Sequence, residues 1–134
     1  MKIGSSIVFN KPRSLCSFAS IAGQKEGEGP MKKYFDRIEQ DSTFGEKNWE
    51  KAESRLQSET LNLALQKGRL QPLDIDCIVA GDLINQCTGS SFAVRETKIP
   101  YLGVYGACST MAESLLIAGL LVDGGYSNKS AAVT

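Results

Sequence analysis

The sequence predicts an α/β domain built on a mostly parallel sheet. Two short apolar runs, residues 77–80 and 101–105, each stop at a glycine, Gly81 and Gly106. Runs of this length and composition suit strands buried on both faces. Helical patterns precede, separate and follow them, and strand–helix alternation is the mark of a parallel sheet. A third observation concerns the helix after Cys108, which is apolar around its whole circumference. Such a helix suits burial on every side, but one small core rarely encloses a helix, so in this chain alone one of its faces is expected to be exposed.

The elements follow in chain order. Residues 6–9, Ser-Ile-Val-Phe, are β-branched and aromatic enough for a strand. Residues 21–30 hold three glycines and a proline and are expected to form a loop. A short helix is expected around 32–37. Trp49 opens the clearest helix, because Trp49, Ala52, Leu56, Thr60 and Leu63 recur at helical spacing. Leu61, Ala64 and Leu65 widen that stripe, with Asn48 as the N-cap and Gly68 as the residue that ends it. Residues 77–80 form the first buried strand. A short helix is expected over 91–97, closed by Ile99-Pro100, then a second buried strand over 101–105. The apolar helix spans about 109–123 and stops at Gly124-Gly125. Residues 130–134 begin another strand.

The chain has 134 residues, 15 basic and 15 acidic, and no histidine. That length suits one domain, 1–134. Zero net charge gives no electrostatic footprint for nucleic acid. The longest apolar stretch, 115–122, is far short of the roughly 20 residues a spanning helix needs. Lys11 and Arg13 interrupt any signal-peptide core. A soluble, non-secreted chain with no transmembrane segment is therefore expected. Without histidine, neither a Cys–His pair nor a Ser–His–Asp triad can be completed. The four cysteines, Cys16, Cys77, Cys87 and Cys108, include no CxxC spacing. Cys16 and Cys77 read as small core residues.

Cys108 carries the strongest chemical signal. It follows a strand and Gly106-Ala107 at the start of a helix, where unpaired N–H groups and the helix dipole favour a thiolate or an anionic ligand. Asp82 follows the other strand, and ligands of open α/β sheets bind beyond the carboxyl ends of strands. Asp82 either caps the next helix or reaches a ligand. Asn85 either forms part of a turn or joins the same site. Asp74 and Asp76 offer too few oxygens for a metal site, and none is expected.

The segment Gly106-Ala107-Cys108-Ser109-Thr110 and its apolar helix resemble the nucleophile region of the thiolase superfamily. Further segments narrow the likeness: 25–30 (KEGEGP), 47–50 (KNWE), 62–67 (NLALQK), 80–86 (AGDLINQ), 98–100 (KIP) and 122–125 (VDGG). Together they resemble the stage V sporulation AD family of endospore formers. The resemblance implies a thiolase-like fold of two similar halves, of which this chain supplies the first. It implies binding of dipicolinic acid, as its calcium chelate, for uptake into the developing spore. Cys108 then stands at the nucleophile position, and Asp82, Asn85 and Cys108 at the ligand pocket. It implies no cofactor. Its partners would be other stage V sporulation membrane proteins and a second copy in a homodimer, with the chain cytoplasmic or peripheral on the spore inner membrane. Two alternatives stand beside it: a thiolase or ketoacyl-synthase acyltransferase using Cys108, and an inactive fragment.

Overall fold

A computed structural model describes residues 1–134 as an α/β fold whose main sheet has three parallel strands. The central strand is β5 (Cys77–Ala80), flanked by β6 (Tyr101–Gly103) and β7 (Ser130–Val133). Ile78 pairs with Tyr101 on one side and Ala131 on the other. Ile78, Val79 and Ala80 are fully buried. Side chains alternate across a strand: Ile78 and Ala80 join Leu61, Leu65, Ala93, Val94 and Val133 in one apolar core. Those partners come from α2 (Trp49–Gly68), α3 (Thr88–Val94) and β7. On the other face, α4 (Thr110–Asp123) packs along β5 and β7. The sheet thus lies between α2/α3 and α4.

α2 forms as its pattern predicts. The side chain of Asn48 accepts from the Lys51 N–H at 3.0 Å, satisfying one of the donors a helix start leaves open. Its other end differs by one residue. Gly68 is still helical, and the left-handed residue is Arg69, at φ 53°. The closing bonds, Arg69 N–H to Gln66 and Leu70 N–H to Leu65, fix that conformation at Arg69.

Several expectations need correction. Residues 21–30 are not all loop: β3 (Ile21–Gly23) pairs in parallel with β4 (Arg37–Glu39), and α1 (Gln24–Glu28) follows β3. A three-residue strand carries too little pattern to stand out among glycines. The strand expected over 6–9 shortens to Ser6–Ile7 (β2), paired antiparallel with Lys2–Ile3 (β1).

As expected of an all-round apolar helix in a chain this short, α4 keeps an exposed face. Only its Thr110, Ser114 and Ala118 row is buried, at four-residue spacing. Small side chains there let the helix lie close to the sheet. Met111, Leu115, Leu116 and Leu120 are exposed, so this chain does not bury the helix on all sides. Likewise β6 is an edge strand with Leu102 in solvent, not a buried one. Part of α4 is covered by the N-terminal arm. The Phe9 ring sits 2.6 Å from where a Cβ on Gly119 would stand, so a larger residue there would make the ring shift. Asp123 at the end of α4 then accepts from the Asn10 N–H at 2.9 Å and pairs with Arg13 at 2.9 Å. No helix is long and apolar enough to cross a membrane.

Candidate functional site

β5 and β6 are hydrogen-bonded neighbours running the same way. The segments that carry Asp82 and Cys108 therefore leave the sheet side by side at its carboxyl end. The two exits are tied together directly. The Val104 N–H donates to Ala80 O at 2.9 Å, and the Cys87 thiol donates to Val104 O at 3.2 Å.

Asp82 is fully buried, and its carboxylate turns inward. Oδ1 accepts from the Asn85 and Cys87 N–H groups at 3.2 and 3.1 Å. Oδ2 accepts from the Ser90 N–H at 2.9 Å and the Ser90 hydroxyl at 3.0 Å. Asp82 thus organises the exit loop and the first turn of α3. Asn85 is exposed on that loop. Cys108 is exposed on the short 3-10 turn Ala107–Ser109 that leads into α4.

Strain gathers at these exits. Six non-glycine residues have positive φ, and three of them, Gln86, Cys87 and Ala107, flank the site. Each such conformation costs on the order of 1 kcal/mol and persists only where the surroundings enforce it. Electrostatics add a second feature. The Glu113 carboxylate folds back over the Cys108 turn, 3.0 Å from Ser109 Oγ, with both oxygens 2.4 Å from where a Cβ on Gly106 would stand. A negative group already lies beside the start of α4.

Several contributors to the site were not singled out from the sequence. Glu53 and Gln57 on α2 hold the β5 exit: Gln57 Nε2 donates to Gly81 O at 2.9 Å, and Glu53 Oε1 accepts from the Leu83 N–H at 3.0 Å. The signal was present in the row Glu53, Gln57, Leu61, Leu65, spaced by four. Its polar half lies toward the carboxyl end of the strands. Tyr101 is the other addition. Its hydroxyl lies 2.8 Å from Ser90 Oγ, and burial, first of all, pushes its pKa up, with the nearby Cys87 and Asp82 adding to the rise.

The remaining cysteines and acids have ordinary places. Burial, then the Asp76 charge, pushes the Cys77 thiol up. Cys16 is exposed, not a core residue. Asp76 holds the turn before β7 through the Asn128 and Lys129 N–H groups, and Asp74 caps Gln71. No three His, Cys, Asp or Glu side chains gather into a metal cluster. Two shallow depressions run along α2, lined among others by Asn62 and Gln66, and neither includes Asp82 or Cys108.

The comparison that decides the family is a match over residues 4–134 to the family described as Stage V sporulation protein AD. The chain belongs to the stage V sporulation protein AD family. It is also 41% identical over 127 residues to the Stage V sporulation protein AD of Bacillus subtilis (strain 168). That alignment covers 95% of this chain and 38% of the Bacillus protein. The chain therefore spans well under half the length of the curated relative it matches. In this sporulation family member, Asp82 and its four accepted hydrogen bonds organise the exit of β5 beside that of β6.

Proposed function

We propose that this chain supplies one wall of a binding site for dipicolinic acid, taken as its calcium chelate, within a thiolase-like protein that serves uptake into the developing spore. The observation that carries the reading is the pairing of β5 with β6, which sets the Asp82 loop beside the Cys108 turn. Ligands of parallel sheets collect at such exits. The start of α4 offers N–H groups and positive partial charge to a ligand carboxylate.

The residues take distinct roles. Cys108 and Asn85, both exposed, line the ligand side. Asp82 gives the loop its shape from beneath. Glu113 favours the chelate over the bare acid, because two carboxylates meet it unshielded and calcium neutralises them. The role is binding, not acyl transfer. Condensation needs proton transfer near neutral pH, usually by histidine, and the chain contains none. The protein would sit at the periphery of the spore inner membrane, passing its ligand to membrane proteins of the same sporulation stage.

Calorimetric titration of dipicolinate into a full-length family protein carrying this segment, with and without calcium, tests the reading. The chelate is expected to bind more tightly than the free acid. Glu113→Gln should strengthen binding of the free acid and narrow that gap, and Asn85→Ala should weaken both. Absence of binding, or affinities indifferent to both substitutions, would overturn the proposal.

A further inference from the structure

The N-terminal arm, residues 1–13, is fastened to the rest of the fold at one place. Every hydrogen bond that it makes to residues outside the arm ends on Asp123, at the close of α4. The Asn10 N–H and its side-chain amide donate to the carboxylate at 2.9 and 2.7 Å, and Arg13 pairs with it at 2.9 Å. One turn earlier on α4, the Phe9 ring lies against Gly119. The β1–β2 hairpin ahead of this contact stays largely unburied: Met1, Ile3, Ile7 and Val8 are 70%, 55%, 48% and 42% exposed.

These features describe a detachable unit. Behind it, residues 14–16 form an exposed connector without regular structure. The chain is next held at Ser17, whose hydroxyl donates to Ala64 O of α2 at 2.7 Å, on the opposite side of the sheet from α4. From Arg13 to Ser17 the chain can span at most about 14 Å. A short connector joined to a unit with its own recognition contact favours swapping of that unit between copies. The contact a second copy would make already exists within one chain, so its complementarity is given. Two apolar surfaces flank it and stay bare in a single chain: the hairpin residues Ile3, Ile7 and Val8, and Met111, Leu115, Leu116 and Leu120 of α4. Covering such surfaces stabilises an assembly, and folding the arm back onto its own chain leaves them uncovered.

We propose that the arm is swapped between two copies of this chain, with Phe9 of each copy seated on Gly119 of the other and Asn10 and Arg13 of each holding the other's Asp123. The contacts that close the single chain then hold a two-fold dimer, whose short connectors pass one another close to the axis. The bare hairpin and the open part of the α4 face in each copy gain the partner's body as cover. The latch lies at the far end of α4 from Cys108, about 20 Å along the helix. The proposal therefore stands apart from the ligand-binding reading, and its test contains no ligand.

Isotope-filtered NMR tests it on the unaltered sequence. Unlabelled chain and uniformly carbon- and nitrogen-labelled chain are mixed in urea, refolded together and concentrated. Overhauser contacts from the unlabelled Phe9 ring to the labelled Gly119 arise only between two chains. They are expected to appear and to strengthen with concentration. Asp123→Asn in the labelled chain should weaken them about tenfold, because the charge-assisted bonds of the latch are lost. A short Gly-Ser insertion after Ser14 should also weaken them, because a longer connector lets the arm close on its own body. Circular dichroism checks that each variant is folded. Phe9–Gly119 contacts confined to single chains at every concentration would overturn the proposal, whether the protein is a monomer or pairs through α4 alone. Interchain contacts undiminished in folded Asp123→Asn, or in the lengthened chain, would overturn it as well.

Discussion

Asp82 and Ser90 are joined twice through one oxygen: Oδ2 accepts both the Ser90 N–H and its hydroxyl, at 2.9 and 3.0 Å. This pair ties the end of β5 to the first turn of α3 and has a direct consequence for mutation. Asp82→Asn keeps the shape but turns an amide NH2 toward donors, so at least one buried donor loses its partner. The expected loss is about 2–3 kcal/mol of stability, read by urea denaturation. A binding defect of this variant is therefore informative only in the folded protein, and unchanged stability would remove Asp82 as the organiser of the loop.

Acid should release the N-terminal arm. Asn10 N–H, above all, and the Arg13 and Lys11 contacts hold the Asp123 carboxyl below its ordinary range, against the opposing effect of burial. Its folded-state pKa is thus depressed. The stability it contributes is fully present above the unfolded-state pKa and is lost as pH falls through the folded value. Protection of the Asn10 and Lys11 amides, measured against the exchange rate of an unstructured chain at the same pH, should fall as the solution is acidified below the ordinary carboxylate range. Asp123→Asn should show fast exchange already at neutral pH. Equal protection in both proteins at neutral pH would count against the latch.

The exposed side of α4 predicts association of the chain. Met111, Leu115, Leu116 and Leu120 are each at least 40% exposed, and contiguous apolar surface on one helix is a sticky patch. Light scattering coupled to size exclusion should show concentration-dependent self-association. Leu115→Glu together with Leu120→Lys should abolish it without lowering the melting temperature, because neither side chain is in the core. A monomer at high concentration would refute the expectation.

Much of this fold was legible because single residues carried clear signals. Asn48 marks the start of α2, and the run 77–80 needed only its β-branched and small residues to declare a buried strand. The neighbouring of β5 and β6 was legible only as a condition, since nothing local states which strands pair. For α4 the exposed face was legible but the packed one was not. Its apolar residues surround the helix, yet its sheet contact runs through Thr110, Ser114 and Ala118, so hydrophobicity did not mark the packed face. α3 begins at Thr88, not Ser91, because Asp82 supplies bonds across three to eight positions that no capping pattern predicts. Glu53 and Gln57 escaped notice because polar residues on a long helix usually face solvent, and only the tertiary fold turns these inward.

Gly81 offers the sharpest test of how the two strand exits meet. It follows β5 directly, and its carbonyl accepts from Gln57 Nε2 at 2.9 Å. On its other side the β6 exit passes so close that a Cβ would stand 2.0 Å from Val104 O and 2.7 Å from Thr110 Cγ2. The first of these neighbours is backbone, held by the Val104 N–H bond to Ala80 and by the Cys87 thiol, so it has no side-chain rotation to give. Thr110 is fully buried in the row by which α4 meets the sheet. Gly81→Ala must therefore push β6, α4 or both away from β5. Overpacking of this kind costs about 3 kcal/mol, and the displaced elements would carry Cys108 away from the Asp82 loop. The variant should unfold at distinctly lower urea concentration. In its folded fraction Cys77, shielded in the native sheet, should alkylate faster than in the parent protein. Gly125→Ala serves as the comparison, because no atom lies within 4 Å of the added methyl and its strain comes from a positive φ alone. If Gly81→Ala is no more destabilising than Gly125→Ala, the two exits are not in contact as described, and the proposed binding site at those exits loses its footing.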